Sequence, residues 1–292
     1  MHRALVDAVE AAGGTVVDLP DANGLIWADP AAADLYPSII ADAPGVEWIQ
    51  LPYAGIEPFL EHLDTEHLWT CGKGVYAEPV AEWIITALLA AFRDIPRYAR
   101  ARSWPSQGGR NLLGAHLTVI GAGGITESLL RLLAPWGCEV TVVRRSSRRM
   151  AGASRTVTTD ELTDAVSAAD AVIVACALTD ETAGIIDRDL LTAMADHAWL
   201  LNVGRGGHVV TADLVDALER DTIAGAVLDV TDPEPLPDDS PLWGLDNCLI
   251  TPHVGNTPEM GLPLLADRVR DNVGRWLAGR PLVGTVDVAA GY

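Results

Sequence analysis

GAGGIT at 121–126 stands directly after the apolar run LTVI and opens a stretch with helical spacing. A first glycine permits a tight turn, and a second lets an anion approach the backbone. The helix start beyond it offers unpaired N–H groups and a positive dipole end. Gly121, Gly123, Gly124 and Ile125 are therefore candidates to hold a dinucleotide pyrophosphate. Thr126 stands where Gly-x-Gly-x-x-Gly has its third glycine; that position serves helix–strand packing, so the helix is expected slightly further out with the phosphate site kept. The glycines alone would also make a plain tight turn, and it is the strand before and the helix after that favour the dinucleotide. About 20 residues on, the NAD-type pattern has an acid for the ribose hydroxyls. Here EVTVV ends in Arg144-Arg145-Ser146-Ser147-Arg148-Arg149, with no acid. Guanidiniums can grip a 2′-phosphate bidentately and the serines can donate to it. NADP(H) is the preferred cofactor, NAD(H) stays open, and a solvated basic turn is the alternative.

Three later residues have side chains suited to acid–base work on an anion. Arg205, in Gly-Arg-Gly-Gly just past a strand, lies at the crevice side of an open sheet, where a fork of donors suits a carboxylate. His253 follows the last apolar run and has a side chain that can give and take a proton near neutral pH. Glu234 could fix the tautomer of such a ring. Each alone has a plainer reading: a turn residue, a structural histidine and a solvated glutamate before proline.

These residues need a sheet to carry them. HLTVI, EVTVVRR, AVIVAC, AWLLNV, AGAVLDV and CLITP read as strands, separated by helical stretches at ITESLLRLLAPWG, DELTDAVSAA, DRDLLTAM and TADLVDALER. Regular alternation implies a parallel sheet with helices on both faces. The first stretch also alternates: a helix over 2–12, strands at 15–19, 24–29 and 47–51, then a long helix over 79–95 that Pro96 stops. A last helix spans 257–279. The chain thus reads as two α/β units, with 79–95 a connecting helix.

The formal net charge of −20 disfavours nucleic acid and anionic membranes as partners. Lys73 is the single lysine, the other 19 cations being arginine, which fits either codon bias or a salt-adapted acidic surface. Cys71, Cys138, Cys176 and Cys248 are scattered without a C-x-x-C pair, which disfavours a disulfide framework or zinc site and fits a reducing cytoplasm. No apolar run approaches the ~20 residues of a membrane span. The amphipathic start, with Asp7 and Glu10, is unlike a secretory signal.

LLNVGRGGHVV at 200–210, GAVLDVTDPEPLP at 225–237 and LITPHVGN at 249–256, read with the glycine loop, resemble the D-isomer-specific 2-hydroxyacid dehydrogenase family, nearest its glyoxylate/hydroxypyruvate reductase branch. EWIQLPYAGIE, PVAEW and ALTDETAGIID extend the match over most of the chain. The resemblance implies two Rossmann-like domains with parallel sheets, the cofactor domain (90–262) inserted into a flavodoxin-like substrate domain (1–89 and 263–292). It implies that Arg205 holds the carboxylate of a small 2-oxo acid, that His253 protonates the oxo group as hydride arrives, and that Glu234 orients His253 and favours its charged ring. Ala54 and Gly55 match a loop whose N–H groups bind the substrate carboxylate. Cys176, Val203, Gly204, Asp229 and Gly255 match positions lining the nicotinamide and its ribose.

Ala177 replaces the usual proline, which implies a looser loop. Trp104 resembles part of a dimer arm, so a homodimer is expected. Lys73 faces either the cleft or solvent. The family's first strand is missing ahead of the first helix, so either the start lies upstream or the small domain has lost an edge strand. Feedback control through the regulatory C-terminal domain of longer phosphoglycerate dehydrogenases is not expected. No metal is expected. Phosphoglycerate or another D-hydroxyacid oxidised in the reverse direction, and a non-catalytic dinucleotide sensor, are the other readings the resemblance leaves open.

Overall fold

The computed structural model describes residues 2–289. In chain order its helices and strands are α1 (His2–Ala11), β1 (Gly24–Ile26), α2 (Tyr36–Ala41), β2 (Trp48–Gln50), β3 (Leu68–Thr70), α3 (Ala77–Phe92), α4 (Ile95–Arg100), β4 (His116–Ile120), α5 (Gly124–Leu133), β5 (Glu139–Val143), β6 (Arg155–Val157), α6 (Leu162–Ser167), β7 (Ala171–Val174), α7 (Arg188–Ala193), β8 (Trp199–Asn202), α8 (Thr211–Glu219), β9 (Gly225–Leu228), β10 (Cys248–Ile250) and α9 (Pro258–Leu277). They form two compact units, one of residues 1–76 and 257–292, the other of 77–256 and inserted within it. The sequence reading placed the joins at 89/90 and 262/263; the compact units instead divide where α3 and α9 begin, each helix belonging whole to one unit.

The inserted unit holds a seven-stranded, all-parallel sheet in the order β10-β9-β8-β7-β4-β5-β6. Strands β7 and β9 are apolar along their whole length and buried at every position, as a sheet covered on both faces requires. Leu88, Phe92, Leu117, Leu129 and Ile173 pack on one face. Val166, Val172, Leu191, Leu200 and Leu214 pack on the other.

The smaller unit has a three-stranded parallel sheet, β1-β2-β3. Trp27, Tyr36, Phe59 and Trp69 fill one core cluster. In the other, Leu5 and Ala8 of α1 meet Leu265 and Val269 of α9 beside Trp48. Between strands and α9 lies a buried polar knot. Gln50, Thr70 and Asn272 have no exposed surface. Thr70 Oγ1 accepts from Trp48 Nε1 at 2.8 Å and donates to Gln50 Oε1 at 2.9 Å. Asn272 Nδ2 donates to the same Gln50 oxygen at 2.8 Å, and its own Oδ1 accepts from Val283 N at 2.8 Å. Hydrogen bonds this complete offset the cost of burying the polar atoms and fix the strand register to the helix.

Several expectations are corrected. TVVDL at 15–19 is no strand: Val16 and Val17 are about half exposed (49% and 47%), and Leu19–Asp21 turns as a 3₁₀ helix. Pro20 removes an N–H donor there, and β1 pairs with β2 alone. The long helix 79–95 is two, because Asp94 adopts a left-handed conformation (φ 56°) and Pro96 starts α4 rather than stopping α3. Strands β3 and β6, three residues each, add to the strands expected from the sequence. Among the described residues no helix is long and apolar enough to cross a membrane.

At the opposite end of the larger sheet from its functional loops, Asp170 is buried just before β7. It accepts from Arg110 and from His116 N (2.8 Å), and lies 3.2 Å from His197 Nε2. Burial alone would raise its pKa; the His116 amide, Arg110 and His197 outweigh it and hold the carboxyl below its usual value. A depressed native pKa stabilises the fold above the unfolded value and loses that contribution as pH falls through the native one. Asp170→Ala is therefore expected to cost about 1–3 kcal/mol at pH 7. In urea titrations the gap to wild type should narrow as pH drops below about 4; a gap independent of pH would refute the assignment.

Candidate active site

In the larger sheet the strands end level. Register pairs Val143, Ile120, Val174, Asn202, Leu228 and Ile250 across six neighbouring strands. The ladder then runs one residue further, into the loops. Gly121 N donates to Val143 O (2.9 Å), Ala175 N to Ile120 O (2.9 Å) and Val203 N to Val174 O (3.1 Å). Asp229 N donates to Asn202 O (3.0 Å) and Thr251 N to Leu228 O (2.9 Å). Every candidate residue of this unit thus leaves one sheet edge, the carboxyl ends of parallel strands. Strand order reverses between β4 and β7, where open α/β sheets bind ligands.

Gly121 has φ +121°, and a Cβ there would lie 2.5 Å from Ala175 O. The turn is pressed against the neighbouring loop and only glycine fits. Gly123, the residue before α5, differs: a Cβ would meet nothing within 4 Å. Its missing side chain leaves open space in front of the first N–H groups of α5, which have no intrahelical partner. Thr126 is fully buried, and its hydroxyl donates to Gly121 O at 2.9 Å. The residue read as pushing the helix outward instead ties α5 back to the loop.

Arg144 continues β5, its N–H donating to Val157 O at 3.1 Å, and its Nη1 reaches Arg148 O at 3.4 Å. Arg145 and Ser146 are exposed on the same turn. Register sets this turn beside the glycine loop, since Val143 pairs with Ile120. Cys176 follows β7, and burial pushes its thiol up to about 11, so it stays protonated and is no nucleophile near neutral pH.

Val203, Gly204 and Arg205 follow β8. Asn202, fully buried, braces them: its Oδ1 accepts from Gly204 N (3.0 Å) and its Nδ2 donates to Arg205 O (2.8 Å). Arg205 Nη1 donates to Gly204 O at 2.8 Å. Asp229 does the same for the last loop. Its Oδ1 accepts from Thr251 Oγ1 (2.5 Å) and Val254 N (2.8 Å), its Oδ2 from Gly255 N (2.8 Å). Its backbone oxygen accepts from His253 N at 2.9 Å. Those bonds hold His253 at φ 53°, an uncommon conformation for a residue with a Cβ. His253 Nδ1 then meets Glu234 Oε1 at 2.6 Å, both side chains about half exposed (51% and 42%). The carboxylate fixes the proton on Nδ1.

Sequence reasoning missed Asn202 and Thr251; the one signal was a polar residue ending the otherwise apolar run WLLN. Ala54 and Gly55 lie in the smaller unit, in the loop after β2. Tyr76 braces that loop, its hydroxyl donating to Pro52 O at 2.6 Å. Lys73 is exposed in the same unit, its carbonyl accepting from Arg268 at 3.2 Å. The four cysteines are free, and among the described residues no cluster could hold a metal.

A glycine turn at a helix start, an arginine and a carboxylate-held histidine on one sheet edge define a Rossmann-type dinucleotide oxidoreductase. Residues 83–255 match the model of the D-isomer specific 2-hydroxyacid dehydrogenase NAD-binding domain. An uncharacterized protein of Corynebacterium melassecola is 36% identical over 285 residues, 95% of this chain and 92% of its own. The glyoxylate/hydroxypyruvate reductase A of Yersinia enterocolitica is 30% identical over 291 residues, 94% of this chain and 88% of its own. A D-isomer specific 2-hydroxyacid dehydrogenase from Xanthobacter autotrophicus, solved in complex with NADPH and MES, superimposes with a TM-score of 0.85 at 27% identity, covering 100% of this chain and 96% of that one. The chain belongs to the D-isomer-specific 2-hydroxyacid dehydrogenase family.

The two glycines separate fold from ligand. Gly121→Ala is expected to lose at least about 2 kcal/mol of stability through the clash at Ala175. Gly123→Ala should melt like wild type and lose dinucleotide affinity, as read by differential scanning fluorimetry and cofactor titration. Equal melting of all three proteins would contradict the distinction.

Proposed function

We propose that the chain reduces glyoxylate, hydroxypyruvate or a similar short 2-oxo acid to the D-2-hydroxy acid, with NADP(H) the preferred cofactor. The observation that carries the reading is the 2.6 Å bond between His253 Nδ1 and Glu234 Oε1, on the same sheet edge as the glycine turn and Arg205. With Nδ1 held by the carboxylate, Nε2 gives its proton to the substrate oxygen, and Glu234 stabilises the charged ring before transfer. Arg205 pairs with the carboxylate and polarises the oxo group. The nicotinamide, when bound, supplies the hydride.

The residues present fit a dinucleotide. Gly123 leaves space before α5, with Gly124 and Ile125 opening its first turn. Cys176, Val203, Gly204, Asp229 and Gly255 are assigned to the nicotinamide end on the family resemblance. Arg144, Arg145 and Ser146 suit the 2′-phosphate, and the NADPH complex of the Xanthobacter relative supports that preference. The larger unit is then the dinucleotide-binding domain and the smaller one the substrate domain. Trp104, 95% exposed, supports a homodimer, and the unpaired cysteines suit a cytoplasmic enzyme.

Purified protein should oxidise NADPH when glyoxylate or hydroxypyruvate is added. His253→Ala should lower kcat by about 10²–10⁴-fold with NADPH affinity kept; wild-type turnover in that variant would sink the mechanism. Changing Arg144 and Arg145 together to alanine should raise KM for NADPH at least about tenfold and spare KM for NADH. A parallel loss for both cofactors would remove the 2′-phosphate assignment.

A further inference from the structure

His208 is the one buried histidine of the larger unit with no exposed surface, and neither the proton transfer nor the dinucleotide turn uses it. Its ring lies between two functional loops. On one side Arg205 N donates to Nδ1 at 3.0 Å. On the other, Nε2 lies 3.4 Å from the sulfur of Cys176, in the loop after β7. The backbone closes the same turn: His208 N donates to Arg205 O at 3.2 Å, and Ile186 N donates to His208 O at 2.9 Å. The fit is tight, since a Cβ on Gly204 would lie 2.9 Å from the ring carbon Cε1 and 3.0 Å from Nδ1.

Nδ1 reaches both main-chain polar groups of Arg205, the N–H at 3.0 Å and the carbonyl oxygen at 2.9 Å, so the ring is held to that residue whichever nitrogen carries the proton. Burial lowers the pKa of His208, which favours the neutral ring. A neutral ring held at both ends is a rigid spacer, unlike a solvated side chain.

We propose that His208 is a positioning residue: its ring ties the Arg205 main chain to the Cys176 loop, so that the carboxylate-binding guanidinium and the wall beside the nicotinamide keep a fixed spacing. The proposal rests on the substrate role given to Arg205 above. It assigns His208 no contact with substrate or cofactor. Losing the tie leaves the fold and the dinucleotide turn in place and lets the arginine loop drift, which costs substrate binding and alignment.

Three substitutions separate the two ends of the ring. His208→Asn keeps an acceptor near the Nδ1 position, His208→Gln keeps a donor near the Nε2 position, and His208→Leu keeps neither. His208→Leu and His208→Gln should raise KM for the 2-oxo acid by about tenfold or more, with NADPH Kd within about twofold of wild type, and His208→Asn should recover most of the loss. Hydrogen exchange of the Arg205 amide should follow the same order, protected in wild type and His208→Asn and exposed in the other two. This second readout needs no turnover, so it decides the tie even if the protein reduces no 2-oxo acid, an outcome that would count against the proposed function instead. Equal KM and equal Arg205 protection in all folded variants would overturn the proposal. So would losses that follow melting temperature alone, with Asn no better than Gln.

Discussion

Parallel pairing with level strand ends is the constraint on which the rest of the larger unit depends. Val143, Ile120, Val174, Asn202, Leu228 and Ile250 are register partners in turn, and the first loop residue after each of these six strands donates to the last residue of a neighbour. Each loop therefore starts from a hydrogen-bonded position rather than a free one. Residues far apart in sequence, from Gly121 to His253, begin at one height on one edge. A slip of one residue in any strand would turn its side chains to the opposite face and bury the wrong set.

From that edge, buried polar side chains carry order outward. Asn202 and Asp229 each end or follow an apolar strand, and each spends its side-chain oxygens on the backbone N–H groups of the loop it supports. Such groups are affordable in a core only when fully paired, and here they are. Their effect is to hold irregular backbone, including the left-handed His253, as firmly as a strand. Function sits on loops, but on loops whose first turns belong to the scaffold.

The smaller unit solves a different problem. Its three strands have three residues each, too little sheet to define a register by ladder bonds alone. The knot of Trp48, Gln50, Thr70 and Asn272 supplies the missing specification, tying β2 and β3 to α9 from the far end of the chain. The loop carrying Ala54 and Gly55 leaves β2 just beyond this knot, so its placement inherits that rigidity.

Much of this was legible in the residues. Apolar runs of the right length mark most strands of the larger sheet, and the glycine turn, the Arg144–Arg149 segment and the Arg205, Glu234 and His253 set stand out by residue type and spacing alone. The family resemblance, in turn, holds against the matched domain model and the relatives. TVVDL misled because β-rich composition reports suitability for a strand, while a strand forms only where a partner edge exists. The run 79–95 misled because an apolar stripe says nothing of the left-handed Asp94 that divides it. The sequence by itself determined which side chains were available and the order in which they arrive, since these are set by residue type and local pattern. Only the tertiary structure decided that Thr126 ties its helix inward, that Asp229 braces the His253 loop, and that His208 joins Arg205 to Cys176. Those are contacts between segments that meet only once the parallel sheet sets them side by side.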